Sequence, residues 1–323
     1  MNDPPPEPPA PSPSAPPEKA PRSPEPPAER ELPAGRELPA ERELPAEREL
    51  SAPHPVPPTE PQPPALSLRA VSLRFGAVPA LDDVTFDVAE GELCAVIGPN
   101  GAGKTSLLNV LSRTYEPTSG ELRYLGEDLR RLRPHQLAAA GMARTFQTPA
   151  LVAALTALDN VLVGRNHAMR SGLVRSGLRL PAARREERHN RALAMEALDF
   201  VGAAAVAETP VGTLPYGMQK RVELARALAA APRLLLLDEP VAGMSRAERE
   251  EIAGLIARSR HGLDGTSTVT ILLVEHDMGV VMGLADRVVV LDFGRVIARG
   301  TPAAVQADAG VVRAYLGEPL LRA

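Results

Sequence analysis

Gly98-Pro99-Asn100-Gly101-Ala102-Gly103-Lys104-Thr105 has the form G-x-x-x-x-G-K-[ST]. The apolar run Leu93-Cys94-Ala95-Val96-Ile97 precedes it and a helix-like stretch, Ser106-Leu107-Leu108-Asn109-Val110-Leu111, follows. A strand, a glycine-rich turn and a helix form the setting in which this pattern makes a phosphate-binding loop. The glycines let backbone N–H groups turn onto phosphate oxygens, the helix N-terminus adds partial positive charge, and Lys104 adds a full one. The chain has 36 basic residues, of which only Lys19, Lys104 and Lys220 are lysine. A slim ammonium therefore stands at the one place where a planar guanidinium would fit poorly between phosphates.

Working outward, the composition divides the chain. Of its 35 prolines, 23 fall in the first 65 residues, where large apolar side chains are scarce. Such a segment cannot bury enough surface to offset its ordering entropy, so residues 1–65 are expected to be a disordered, partly polyproline-II tail. Within it, Glu29-Arg30-Glu31-Leu32-Pro33-Ala34 recurs as GRELPA, ERELPA and ERELSA up to Ala52. A proline in all but the last of these repeats opposes a sustained helix, and the tail reads as a spacer. Met1-Asn2-Asp3-Pro4 lacks the basic and apolar regions of a secretory signal.

The remaining part, about 258 residues, is long enough for one α/β domain with an inserted lobe. A net charge of -4 and a pI near 6.0 give no broad electrostatic case for nucleic acid. The single Cys94 lies in an apolar strand and reads as a buried small hydrophobe in a reduced setting. Apolar runs such as Ile271–Val274 and Val288–Leu291 are far shorter than a bilayer span of roughly 20 residues, so any membrane part must come from another chain.

Strands are expected over Leu66–Arg74 and Leu81–Val88, antiparallel across the turn at Phe75–Pro79, and over Glu121–Leu125. Helices are expected over Ala154–Val163, Ala182–Phe200 and Met218–Ala230. Arg233–Asp238 then reads as a strand apolar on both faces. A helix (Arg246–Ser259), a strand (Thr268–Val274), a helix (Met278–Ala285) and a strand (Arg287–Leu291) alternate as βαβ units do. The expected fold class is α/β: a P-loop NTPase with a parallel core sheet, an N-terminal antiparallel β subdomain and an inserted helical subdomain over about 148–217.

Two strand ends carry further chemistry. Asp238, at the end of Leu234–Leu237, is placed to hold a Mg2+ shell together with the Thr105 hydroxyl. Glu239, directly after it, is the candidate general base for the water that attacks a γ-phosphate. The strand ending at Val274 runs into Glu275-His276-Asp277, from which His276 can donate to a γ-phosphate oxygen. The other histidines (His54, His135, His167, His189, His261) have no metal-ligand spacing.

Taken together, these motifs, Gln147 in Arg144-Thr145-Phe146-Gln147, the segment Leu214-Pro215-Tyr216-Gly217-Met218-Gln219-Lys220-Arg221, and Ala242-Gly243-Met244-Ser245 resemble the nucleotide-binding subunit of an ABC transporter over residues 66–318. The resemblance implies that Gly98 to Ser106 hold the phosphates of ATP and that Phe75 stacks on its adenine. It implies that Gln147 joins the Mg2+ and water site and couples it to membrane subunits, and that Leu214 to Gln219 form the signature motif. The Arg-Thr-Phe-Gln form, the Tyr216-Gly217 pair, the basic segment Arg165–Arg191 and the ending Val312-Arg313-Ala314-Tyr315-Leu316-Gly317-Glu318 resemble the ATP-binding subunit of branched-chain amino acid importers. Residues 319–323 are left as a short C-terminal tail.

The sequence departs from the family pattern at two places. Pro215 stands where the L-S-G-G-Q signature has serine, which removes a hydroxyl and an N–H from the phosphate-facing end, leaving Gly217 and the N-terminus of a helix beginning near Met218. Ser245 stands where an acid or amide is more usual, which puts its intersubunit contact in doubt. With one phosphate loop and one signature, the chain resembles half of a site: the family implies a second ATPase subunit, identical or not, two integral-membrane permease subunits and, indirectly, a solute-binding protein. The implied place is the cytoplasmic face of the inner membrane. The basic segment (Arg165, Arg170, Arg175, Arg179, Arg184, Arg185, Arg188, Arg191) reads either as a face for anionic headgroups or membrane subunits, or as a solvated helix face with Glu186 and Glu187 pairing internally.

Other readings are an importer of urea or short amides and a lipopolysaccharide-export ATPase, which shares the Tyr315–Glu318 ending. The Arg-Thr-Phe-Gln segment weighs against the latter. A soluble ABC protein acting on ribosomes or DNA would carry two cassettes or a long coiled coil, and a non-hydrolysing regulator would not keep Lys104, Asp238, Glu239 and His276 together.

Overall fold

Two sheets meet across the helix that follows the phosphate loop. The computed structural model describes residues 63–169 and 181–316. The tail at 1–65 (save 63–65), the arginines at 170, 175 and 179, and Gly317 onward lie outside the described residues.

The first sheet is antiparallel, in the order β2-β1-β4-β5, from β1 (Leu66–Phe75), β2 (Val78–Val88), β4 (Ser119–Tyr124) and β5 (Glu127–Asp128). Gly76 and Ala77 make the turn between its first two strands, and Leu66, Leu68, Leu81, Val84 and Phe86 turn to the core.

The second sheet has the order β10-β9-β3-β8-β7-β6, from β3 (Leu93–Ile97), β6 (Met142–Arg144), β7 (Leu234–Asp238), β8 (Thr270–Val274), β9 (Arg287–Asp292) and β10 (Arg295–Gly300). Every pairing is parallel except that of β9 with β10. All five residues of β3, β7 and β8 are buried, as strands covered on both faces must be. Alternate residues serve opposite layers. Leu234, Leu236, Leu272 and Val274 pack with α1 (Lys104–Leu111) and the antiparallel sheet. Leu235, Leu237, Ile271 and Leu273 pack with a second layer that includes α2 (Ala157–Gly164), α3 (Pro181–Phe200), α4 (Tyr216–Ala229) and α5 (Arg246–Ser259). Ala95, Ile97, Val288 and Val290 pack with α6 (Met278–Leu284), α7 (Pro302–Gln306) and α8 (Ala309–Leu316).

The alternation read from sequence is present, with shifts that have local causes. Helix α2 starts at Ala157 because the Thr156 hydroxyl accepts the Asp159 N–H and caps it. Helix α4 starts two residues before the expected Met218: Pro215 is its N-cap, where a missing N–H leaves no intrahelical bond unmade. Three strands escaped the sequence reading. β5 and β6 have two and three residues, too few for any periodicity. β10 is an edge strand of partly exposed residues, joined to β9 by a two-residue turn whose Phe293 and Gly294 both have positive φ, 41° and 79°. Among the described residues no helix is long and apolar enough to cross a membrane.

The basic segment divides where it is described. Arg165 turns inward: its Nε donates to Asn190 Oδ1 at 2.7 Å and its Nη1 to Ala229 O at 2.6 Å. Arg191 pairs with Glu208 at 2.6 Å, whereas Arg184, Arg185 and Arg188 are exposed on α3.

Candidate functional site

Parallel neighbours β3, β8, β7 and β6 deliver their C-terminal ends to one edge of the sheet, where a doubly wound fold holds its ligands. The phosphate loop leaves β3, Glu275-His276 leaves β8, Asp238-Glu239 ends and follows β7, and Thr145-Phe146-Gln147 leaves β6. Residues distant in sequence thus meet at one edge.

The loop itself permits no side chain at two of its glycines. A Cβ on Gly98 would lie 2.1 Å from Leu291 O, and one on Gly103, whose φ is 101°, would lie 2.6 Å from Ala80 O. Gly103 is the N-cap of α1 without a side-chain cap, so the first N–H groups of the helix face the loop unpaired by a capping side chain. Pro99, Asn100, Gly101 and Ala102 complete the turn, and Thr105 is exposed beside Ser106 in the first turn of α1. Lys104 is 7% exposed and curls back so that its Nζ donates to Gly98 O at 2.7 Å and to Pro99 O at 3.0 Å. Burial draws this ammonium below its usual pKa, opposed by the nearby carboxylates of Glu239 and Asp238.

Asp238 is buried, and its Oδ2 accepts a 3.0 Å charge-assisted bond from Arg144 Nη2. Arg144 also donates to Leu108 O, Asn109 Oδ1 and Ser112 Oγ, tying β7 to the end of α1. Nothing along the chain shows that Arg144 reaches Asp238, so its role is visible only in the fold. Thr105, Asp238 and Gln147 supply a hydroxyl, a carboxylate and an amide, a hard-oxygen set that suits Mg2+.

Glu239 sits at φ 45°, a left-handed conformation that is uncommon outside glycine, with its N–H donating to Val274 O at 2.9 Å. Its Oε2 accepts from Gln147 Nε2 at 2.9 Å and lies 3.8 Å from His276 Nδ1. The His276 side chain is 57% exposed, so its ring is open to solvent beside Glu239. Glu275 is fully buried: one oxygen accepts from Val241 N (3.1 Å) and the other from His276 N (2.9 Å) and Asp277 N (3.3 Å). It fixes the backbone on both sides of the site, a role invisible to motif reading. Asp277 in turn caps α6 through the Val280 N–H.

The other expected site residues lie farther out. Phe75 is half exposed at the end of β1, its ring 5.2 Å from Tyr115 in an edge-to-face arrangement that sequence reading did not anticipate. Among the described residues, no hydrogen bond or ion pair joins Leu214, Pro215, Tyr216, Gly217, Met218 or Gln219 to the phosphate loop. Gln219 Nε2 donates instead to Leu214 O at 2.9 Å, and Tyr216 Oη donates to Gln147 O at 3.3 Å. Ser245 has a structural use: it caps α5, accepting from Glu248 N while Glu248 Oε2 accepts from Ser245 N, a capping box.

Residues 81–242 match the ABC transporter family model. The chain is 39% identical over 253 residues to the high-affinity branched-chain amino acid transport ATP-binding protein BraF of Pseudomonas aeruginosa, covering 78% of this chain and 98% of that protein. The chain belongs to the ABC transporter family. As an ABC ATPase it binds and hydrolyses ATP, and its homologues are subunits of transport complexes. Residues 295–320 match a second model, the branched-chain amino acid ATP-binding cassette transporter. Among solved structures, a nucleotide-free ATP-binding cassette from an ABC transporter superposes with TM-score 0.67 at 29% identity, covering 79% of this chain and all of that one. The cassette MJ0796, in a dimeric post-hydrolysis state bound to ADP and Pi, superposes with TM-score 0.60 at 28% identity, covering 73% of this chain and 98% of that one.

Proposed function

We propose that this ABC ATPase powers import of branched-chain amino acids, with Glu239 as the base that prepares the attacking water. The 2.9 Å bond from Gln147 Nε2 to Glu239 Oε2, beside the Lys104 loop, carries the catalytic part of this reading. Lys104 and the N–H groups of Gly98–Ser106 hold the triphosphate. Gln147 orients the Glu239 carboxylate, and His276 donates to the γ-phosphate. Mg2+, held by Thr105, Asp238 and Gln147, would neutralise charge on the β- and γ-phosphate oxygens.

The domain runs over residues 66–318, with its helical lobe at about 148–217. Leu214–Gln219 have no bond to the phosphate loop of their own chain, which fits a signature that completes the site of a second ATPase subunit. That subunit is identical or related, as in the ADP-bound cassette dimer. Phe75 then takes the adenine, with Tyr115 behind it. A groove of about 700 Å³ opens beside Phe146, Ala150, Val163 and Arg226, and there we place one of the two permease subunits, the other meeting the second ATPase subunit, at the cytoplasmic face of the inner membrane. The solute follows from the likeness to BraF and from the match over 295–320.

The test is purification of the membrane complex through this subunit, with identification of its companions, and uptake of radiolabelled leucine against urea. Leucine uptake is expected to fall on deletion of the subunit. Unchanged leucine uptake with lost urea uptake would move the assignment to an amide importer.

A further inference from the structure

Along α4, Tyr216, Lys220, Glu223 and Arg226 are spaced by four, three and three residues, which sets them on one helix face. All four grip the backbone of the loop that carries Gln147. Tyr216 Oη donates to Gln147 O at 3.3 Å, and Lys220 Nζ donates to Phe146 O at 2.8 Å. Glu223 Oε1 accepts from both Phe146 N (3.2 Å) and Ala150 N (3.1 Å), so one carboxylate brackets the segment. Arg226 Nη1 donates to Ala150 O.

The burial of these groups is costly, which gives the arrangement its meaning. Lys220 is 4% exposed and Glu223 only 1%, with their charged atoms 3.8 Å apart. Burial pushes the Glu223 carboxyl up and the Lys220 ammonium down, each opposed by the other's charge. Glu223 Oε2 has no hydrogen-bond partner, although its Oε1 makes two bonds to the loop. A buried pair of this kind adds little stability compared with apolar side chains of the same size. What it supplies is a fixed position for five residues of otherwise irregular backbone.

We propose that Glu223, supported by Lys220, is a positioning residue that holds Gln147 against Glu239 and makes hydrolysis depend on where α4 stands. The first turn of α4 contains Tyr216 and Gly217 of the signature. A shift of that helix on engaging a second subunit's nucleotide is transmitted to Gln147 through these bonds, without passing through the chain between residues 150 and 214. The inference rests on Glu239 acting as the base.

The test is a double-mutant cycle between residues 223 and 147, in the full chain within its purified membrane complex. Glu223→Ala is expected to lower kcat by about tenfold or more while the KM for ATP stays within about twofold, since small misplacement of a catalytic group has effects of this order. Glu223→Gln retains an acceptor for the two N–H groups and is expected to keep most of the activity. The paired variant Lys220→Met/Glu223→Leu removes the two central members of the clamp without stranding the Lys220 ammonium and leaves the Tyr216 and Arg226 bonds in place, so it is expected to lower kcat as Glu223→Ala does even where Glu223→Ala folds poorly. In a Gln147→Ala background each of these changes should cost less than about twofold more, because residues acting through one another are not additive. Hydrogen exchange should rise at the Phe146 and Ala150 amides while the interior of α4 stays protected. Equal losses in both backgrounds, or a raised KM with unchanged kcat, would overturn the proposal. Full hydrolysis by Glu239→Gln would instead refute the base assignment, a separate result.

Discussion

Replacing Arg144 with methionine removes the cation that Asp238 faces across 3.0 Å, both side chains being less than a tenth exposed. The methionine fills much of the volume but leaves a buried carboxylate without its hydrogen-bonded cation, which costs about 3–5 kcal/mol. The lost bonds to Leu108 O, Asn109 Oδ1 and Ser112 Oγ act on the same element, so their cost overlaps with that figure and is not simply added to it. For a domain of this size each kcal/mol lowers Tm by roughly 2–4 °C, so a fall of about 6–20 °C is expected. The assay is thermal unfolding by circular dichroism in nucleotide-free buffer at pH 7. Arg144→Met/Asp238→Asn removes the stranded charge as well and should recover a large part of the loss. A fall below about 3 °C, or a double variant no more stable than Arg144→Met, would refute the view of Arg144 as Asp238's structural counter-ion.

Glu239→Gln should bind ATP with little change in affinity yet hydrolyse it about 10²- to 10⁴-fold more slowly, read by fluorescent-nucleotide titration beside phosphate release. Lys104→Arg should lower nucleotide affinity by at least about tenfold, because the Lys104 ammonium fits between two carbonyl oxygens where a planar fork would not; equal affinity by titration calorimetry would contradict this. Burial pushes the Cys94 thiol up to about 12, so it stays protonated from neutral pH to well above 9 and the native chain should resist iodoacetamide at pH 8. Labelling detected by mass spectrometry should appear only on unfolding, and rapid labelling of native protein would show that β3 is not sealed.

The phosphate loop, the Asp238-Glu239 strand and His276 were legible because each is a short motif bounded by a run whose periodicity is plain. The parallel order of the sheet followed from alternating apolar strands and amphipathic helices. The resemblance to the ABC family supplied Gln147 and Leu214–Gln219, and the structure connects the two through Tyr216 within one chain. Glu275 and Arg144 were missed because an acid or base at a strand end looks alike whether it faces water or three buried N–H groups. β10 was missed because an edge strand need not be apolar on either face.

By itself the sequence determined what the chain holds. Glycines spaced before a lysine and threonine, that lysine one of only three among 36 basic residues, and two acids at the end of an apolar run are local facts, and local chemistry reads directly from residue order. The tertiary structure decided what positions those groups. Arg144 reaches Asp238 across 94 residues, Gln147 reaches Glu239 across 92, and Glu223 reaches Phe146 across 77. Such bonds arise from the strand order β3-β8-β7-β6 and from packing of α4 against the loop after β6. Neither leaves a periodic trace in the sequence, since one buried polar side chain per helix turn is too sparse to form a pattern.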